Sequence, residues 1–148
     1  MARYKDPIVT EVLSKQLHPG EQLQHFAYGV RQPNIGLVIL LVCLAILPGL
    51  IAVALLTKEY VVGLTSNRLL ILRVKGGKAT VQEITEYDRR QLPPAKTSTG
   101  GLFTHIRLMD PGKPFYAKFH RMGMKSNREH AMAIAAALPS ALPPAKAA

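Results

Sequence analysis

The chain has 148 residues, which leaves room for one domain and a short membrane element. Its formal net charge is +10. Its single cysteine, Cys43, excludes an intrachain disulfide and a cysteine-based metal site. Residues 58–148 carry fifteen basic and six acidic side chains. By the positive-inside rule, this excess predicts that the C-terminal part faces the cytoplasm.

The first 32 residues carry the signals of one helix followed by one strand. Asp6-Pro7 places a capping residue before a proline at the first helical position, and apolar residues follow at helical spacing from Ile8 to Leu17. Pro19-Gly20 ends this segment, so residues 1–20 are predicted to contain the N-terminal helix. In residues 21–32 the side chains alternate with a period of two, which predicts a strand.

An uncharged apolar segment follows at residues 35–56, with the sequence IGLVILLVCLAILPGLIAVALL. As a single α-helix it would extend about 33 Å, enough to cross a hydrocarbon core of about 30 Å. We therefore predict that residues 33–57 insert into a membrane. The residues expected to meet lipid are Ile35, Leu40, Leu44, Pro48, Gly49, Ile51 and Leu55.

The Pro48-Gly49 pair leaves two topologies open. Proline removes a helical hydrogen bond and glycine relaxes the backbone, so the segment is either one kinked span or a re-entrant helical hairpin. The arms of such a hairpin, residues 35–47 and 49–56, are each too short to cross a bilayer. A hairpin would leave both of its ends on the same side of the membrane.

After residue 57 the pattern changes to that of strands. Strands are predicted at residues 60–65, 68–74, 78–85, 103–109 and 114–120, and the composition of residues 92–101 predicts a loop. Ser126 and Glu129 have the spacing of a capping box that opens a final helix, which ends before Pro139. This order predicts an antiparallel meander closed by one C-terminal helix, followed by a disordered tail at residues 139–148.

Two motifs resemble those of bacterial pleckstrin-homology-like (PH-like) domains. YVVGLTSNRLLILRV at residues 60–74 resembles the family's first hairpin, in which Leu-Thr, a short turn and an arginine precede an apolar strand. LHPGEQ at residues 17–22 resembles the Pro-Gly-Glu segment before the family's early strand. Some members of the family carry membrane segments just before the Leu-Thr hairpin, often as two full spans.

The resemblance implies a mainly β fold over residues 17–32 and 58–138. The expected domain is a bent antiparallel sheet or partly open barrel of about seven strands, closed by a C-terminal α-helix. Because about five strands are predicted after the apolar segment, residues 22–30 are expected to supply a missing edge strand. That strand must lie on the same side of the membrane as the others, which favours the re-entrant hairpin.

Catalysis finds little support in the sequence. The five histidines show no metal-binding spacing, and His105, Asp110 and His120 could form a cluster only if strands bring them together. We therefore predict no catalytic residue, no metal and no cofactor.

Basic side chains are better candidates for a binding site, as contacts to anionic lipid headgroups. A solvated basic face is the alternative. Nucleic-acid binding is disfavoured, because no recognition signature is present. The predicted contacts are Arg68, Arg73, Lys75, Lys113, Lys118, Arg121, Lys125 and Arg128.

These features predict a non-enzymatic, membrane-anchored PH-like module on the cytoplasmic side of a bacterial inner membrane. It would act as a homo-oligomeric scaffold or bind anionic lipids or a membrane-protein partner. The alternative is an accessory subunit of a membrane transport or secretion complex. In that case Gly36, Ala45, Gly49, Ala52 and Ala54 would allow partner helices to approach closely.

Overall fold

A computed structural model of the chain describes residues 6–75, 79–99, 102–120 and 126–140. These residues form four α-helices, one short 3-10 helix and seven β-strands. In chain order the elements are α1 (Asp6–Ser14), β1 (Leu23–Arg31), α2 (Ile35–Leu44), α3 (Ile46–Leu56), β2 (Lys58–Thr65), β3 (Arg68–Lys75), β4 (Thr80–Asp88), the 3-10 helix (Arg89–Gln91), β5 (Ala95–Ser98), β6 (Phe103–Leu108), β7 (Phe115–His120) and α4 (Asn127–Ala137).

All seven strands belong to one antiparallel sheet with the order β4-β3-β2-β1-β7-β6-β5. Strands β2 to β4 and strands β5 to β7 form two meanders, and β1 lies between them. The prediction of a single meander is therefore wrong. The prediction of an edge strand at residues 22–30 is also wrong, because β1 is the central strand. The mainly β class and the C-terminal helix are confirmed, and the sheet is open.

Both faces of the sheet are covered around β1, β2 and β3. On one face, Val9, Val12 and Leu13 of α1 pack with buried side chains that include Val61 and Leu70. On the other face, apolar residues of α4 pack with the second meander and with Val62, Leu69 and Ile71. Because successive residues of a strand point to opposite faces, this double cover explains the continuous apolar run of β3.

The side chains of β7 alternate between buried and half-buried positions. Phe115, Ala117 and Phe119 are buried in the core on the α4 side. The ring of Phe119 lies directly on Gly29 of β1, where an added Cβ would come within 2.6 Å of the ring. Glycine at this position therefore allows the ring to approach the central strand this closely.

One strand lies within the predicted loop. Residues Ala95–Ser98 form β5, which pairs with β6 and so contradicts the loop prediction for this part of residues 92–101. Its sequence, AKTS, is too short and too polar to carry a recognisable strand pattern. The backbone N–H of Ala95 donates to the Pro139 carbonyl (2.8 Å), and Ser140 forms a bridge with Ala95. The rest of the predicted tail, residues 141–148, lies outside the described residues.

The start of α4 differs from the predicted capping box. Ser126 adopts a left-handed backbone conformation (φ 62°), and its side chain makes no capping hydrogen bond. The next residue, Asn127, is completely buried. Its side-chain oxygen accepts from the Tyr28 N–H (2.9 Å), and its Nδ2 donates to the carbonyls of Tyr28 (3.1 Å) and His120 (2.9 Å). Asn127 therefore links α4, β1 and β7 through the backbone of both strands.

Replacing Asn127 tests this assignment against the capping box. Asn127→Ala removes three hydrogen bonds to the backbone of Tyr28 and His120, so we expect the free energy of unfolding to fall by about 3 kcal/mol. Ser126→Ala is the matched control and should change stability by less than about 0.5 kcal/mol, because the hydroxyl caps nothing. Urea unfolding in mild detergent, followed by circular dichroism, measures both. A large loss in Ser126→Ala with none in Asn127→Ala would restore the capping box.

Candidate functional site

The apolar segment folds as two short helices, α2 and α3, that leave and re-enter the same end of the sheet. Arg31 at the end of β1 lies opposite Lys58 at the start of β2. Because β1 and β2 are adjacent and antiparallel, the residues between them must turn back within their own length. The arrangement is a helical hairpin, which we call the apolar hairpin (residues 32–57).

The turn of the apolar hairpin lies at Ala45 and not at Pro48-Gly49. Ala45 has an extended backbone (φ −162°, ψ 122°), and its N–H donates to the Leu41 carbonyl (3.2 Å). Its own carbonyl accepts from the Gly49 N–H (2.8 Å). Pro48 is in the first turn of α3, where a missing N–H breaks no helical hydrogen bond. The predicted break at Pro48 is therefore wrong.

Gly49 is the buried contact inside the apolar hairpin. An added Cβ would lie 2.3 Å from the Leu41 carbonyl oxygen, so a larger residue would push the start of α3 away from α2. Gly49 is thus buried against α2 and does not lie on the outer surface of the hairpin, so its predicted contact with lipid is wrong. The other residues predicted to meet lipid, Ile35, Leu40, Leu44, Pro48, Ile51 and Leu55, are all exposed.

The exposed apolar residues of the hairpin are its most unusual property. Ile35, Leu44, Leu47 and Leu55 each have 72–74% of their surface exposed. Every residue of α2 and α3 is apolar or glycine or proline, so no side of either helix is polar. Within the described residues, no helix is long and apolar enough to cross a membrane.

Cations surround the base of the apolar hairpin. Arg31, Lys58 and Lys75 are exposed at the neighbouring ends of β1, β2 and β3. On the other side of β1, the Lys118 ammonium donates to the Gln32 side chain and lies 4.8 Å from the centre of the Phe103 ring. We call Arg31, Lys58, Lys75 and Lys118 the basic collar. Of these four, only Lys75 and Lys118 were predicted as headgroup contacts. Arg31 and Lys58 are the nearest charged residues on either side of the apolar segment.

The other predicted headgroup contacts within the described residues do not form one group. Lys113 forms an ion pair with Glu83 of β4. Its hydrogen bond and charge, with the nearby cations Arg73 and Lys58, lower the pKa of the Glu83 carboxyl. Arg128 is exposed at the start of α4. Arg121 and Lys125 lie outside the described residues.

The predicted role of Arg68 in headgroup contact is wrong, because its side chain is buried. It lies at the opposite end of β3 from Lys75, about 23 Å away at the rise of a strand. Its guanidinium donates to both oxygens of Glu21 (2.9–3.2 Å) and to Glu86 (2.6 Å), and also to the Gln16 carbonyl. Arg68 therefore has a structural role at the end of the sheet furthest from the apolar hairpin.

This ion pair joins the two motifs that carry the family resemblance. Glu21 of LHPGEQ accepts from the His18 N–H (3.1 Å) and from the Thr65 hydroxyl (2.8 Å) as well as from Arg68. The Arg68 hydrogen bonds, with those from Thr65 and His18, outweigh burial and lower the pKa of Glu21 to about 2. Each motif can be recognised in the sequence separately, but no pattern in the sequence indicates that Glu21 is the partner of Arg68.

The structure does not gather His105, Asp110 and His120 into one site. Asp110 accepts a hydrogen bond from the Tyr87 hydroxyl (3.0 Å), and burial together with this carboxylate raises the pKa of Tyr87 to about 12. His105 instead lies 3.0 Å from the Tyr116 hydroxyl. No cluster of three or more metal-binding side chains occurs in residues 6–75, 79–99, 102–120 and 126–140.

Two other histidines do meet, between β1 and α4. The Nδ1 atoms of His25 and His130 are 3.2 Å apart, and the ring of Phe26 stacks on His130 at 4.6 Å. Burial is the main cause that lowers the pKa of His25, and the charges of His130 and Arg89 add to it. This pair contributes to the contact of α4 with the central strand.

Comparisons with known proteins add little to this geometry. No protein-family model matches the chain, and no curated protein matches it. Among solved structures, the chain is similar to the hSac2 domain from human phosphoinositide phosphatase Sac2, with a TM-score of 0.49 and 9% identity. The similarity covers 88% of this chain and 76% of that one, and at this level it carries no argument about function.

The Glu21–Arg68 pair predicts a specific pH dependence of stability. The folded-state pKa of Glu21 lies below its ordinary value of 4.5, so the pair stabilises the fold above about pH 4.5. This contribution is lost as the pH falls from 4.5 through about 2. Glu21→Gln should lower the free energy of unfolding at neutral pH by about 3 kcal/mol, because it leaves buried Arg68 without its main counter-ion.

The matched control for Glu21→Gln is Glu11→Gln, which removes an exposed carboxylate that pairs with Lys15 on α1. Its effect should stay below about 1 kcal/mol. Urea unfolding of all three proteins between pH 2 and neutral pH measures the difference. Equal curves for wild type and Glu21→Gln across this range would show that the buried pair does not stabilise the fold.

Proposed function

We propose that the chain is a non-enzymatic, membrane-anchored PH-like module. In this proposal, the apolar hairpin enters one leaflet of the bilayer and the β-sheet domain stays at the cytoplasmic face, where it contacts anionic headgroups. The observation that carries the proposal is the exposed, wholly apolar hairpin with a basic collar at its base.

The distribution of apolar residues favours lipid as the occupant of this surface. A helix that docks on a protein groove has one apolar stripe, whereas a helix that is apolar on all sides is surrounded by apolar material. Both helices of the hairpin are of the second kind. An exposed apolar surface of this size is rare in a protein that stays in water, and it marks an interaction site.

The length of the hairpin suits one leaflet. Helices α2 and α3 have 10 and 11 residues, which corresponds to about 15 Å each. Half of a hydrocarbon core of about 30 Å has the same depth. The turn at Ala45 would therefore lie near the bilayer midplane.

The base of the hairpin suits the headgroup region. Asn34 caps α2 by accepting from the Gly36 N–H (2.8 Å), and the Thr57 hydroxyl donates to the Val53 carbonyl (2.8 Å). These polar groups and the basic collar lie where the hairpin meets the sheet. Tyr116 lies beside the same base, and tyrosine favours membrane interfaces. Cations at this level would be attracted to an anionic cytoplasmic leaflet.

A charge near the turn of the hairpin tests membrane insertion. Leu47→Asp should weaken binding to phosphatidylcholine vesicles about a hundredfold, because an aspartate near the bilayer centre costs about 2.5–3.5 kcal/mol. Vesicle flotation measures the binding. Leu102→Asp is the matched control, since Leu102 is 53% exposed but lies before β6, outside the hairpin. If the Leu47→Asp protein still floats with the vesicles but changes from an oligomer to a monomer, the hairpin joins copies of the chain instead.

Cysteine labelling tests the topology. In a Cys43→Ala chain, Lys15→Cys and Lys96→Cys place single thiols at exposed positions before and after the hairpin. Both residues belong to one sheet domain, so we expect a membrane-impermeant maleimide to label neither in intact cells and both after lysis. Labelling of Lys15→Cys alone in intact cells would mean that the segment crosses the membrane once and that β1 does not pair with β2.

A further inference from the structure

A groove of about 560 Å³ lies beside the base of the apolar hairpin. Its walls come from the end of α3, the start of β2, the end of β3 and the middle of β4. Ala54 and Leu55 make one wall apolar, while Lys58, Arg73 and Lys75 place three cations on the other side. The groove therefore joins an apolar surface of the hairpin directly to a positively charged part of the sheet.

Two carboxylates also line the groove, and both have partners. Glu59 accepts a hydrogen bond from the Tyr28 hydroxyl (2.9 Å), and Glu83 pairs with Lys113. The hydrogen bond from Lys113 is the main cause that lowers the pKa of Glu83, and the charges of Lys113, Arg73 and Lys58 add to it. Three cations and two carboxylates line the groove, and Lys113 pairs with one of these carboxylates, so the groove keeps an excess of positive charge.

We propose that this groove binds the phosphate group of an anionic phospholipid whose acyl chains run along α3 into the leaflet. The inference rests on the proposed membrane insertion and deepens it by assigning the ligand and its site. Lysine and arginine donate charge-assisted hydrogen bonds to phosphate oxygens, and arginine can do so with two parallel bonds.

The position of the groove favours a lipid over a phosphate free in solution. Its cations lie at the level where the hairpin leaves the sheet, which is the headgroup level if the hairpin is inserted. The apolar side chains of Ala54 and Leu55 make no favourable contact with free phosphate, but they continue into the surface that acyl chains would cover. Burying a lipid acyl chain beside α3 adds apolar contact that a free anion cannot make.

Vesicles of two compositions test the proposal: phosphatidylcholine alone, and phosphatidylcholine mixed with phosphatidylglycerol. The groove variant is Lys58→Gln with Lys75→Gln. The matched control is Lys15→Gln with Arg90→Gln, which removes the same charge from exposed positions beside the far end of the sheet. A conservative variant, Lys58→Arg with Lys75→Arg, keeps the charge of the groove.

We expect wild type to bind mixed vesicles more tightly than phosphatidylcholine vesicles. The groove variant should lose this preference by about fivefold per cation, measured relative to its own binding to phosphatidylcholine alone. The control and the conservative variant should keep it.

Each failure has a distinct meaning. Wild-type protein that floats with neither vesicle refutes membrane insertion itself. Equal binding of wild type to both vesicles, or equal losses in the groove variant and the control, leaves insertion standing but refutes a discrete phosphate groove.

Discussion

Three hydrogen bonds from one buried amide, that of Asn127, hold the two halves of the sheet together. Strands β1 and β7 pair at Val30 and Lys118, and the same register brings Tyr28 level with His120. At that level the Asn127 side chain binds the backbone of both strands. Because unpaired backbone groups are costly in the interior, this amide determines where α4 can dock. The α4-side core, including Phe119 against Gly29, depends on that docking.

The central position of β1 explains how the fold accommodates the apolar hairpin. A connection between adjacent antiparallel strands needs only to return to its starting point, so its length can grow at little entropic cost. Arg31 and Lys58 lie opposite each other at that point. The hairpin therefore projects from the sheet domain without interrupting it, and the cations of the strand ends surround its base.

The two ends of the sheet differ in how they use charge. At the end furthest from the hairpin, the Arg68 guanidinium pairs with Glu21 and Glu86, and the Thr65 hydroxyl donates to the Arg68 carbonyl. These contacts hold the α1–β1 connection against the β2–β3 hairpin. At the hairpin end, Lys58 and Lys75 are exposed. The buried ion pair of Arg68 adds to structure, whereas Lys58 and Lys75 are accessible to ligands beside the apolar residues of α3.

The sequence by itself determined the local elements, because helical spacing, strand alternation and turn residues are properties of short segments. It identified α1, the downstream strands except β5, α4 and the apolar segment. Tertiary structure decided which segments meet. Burial of Arg68, its pairing with Glu21, the central place of β1 and the role of Asn127 all depend on contacts between residues far apart in the chain. The turn at Ala45 was equally hidden, because Pro48 is as compatible with the first turn of a helix as with a break.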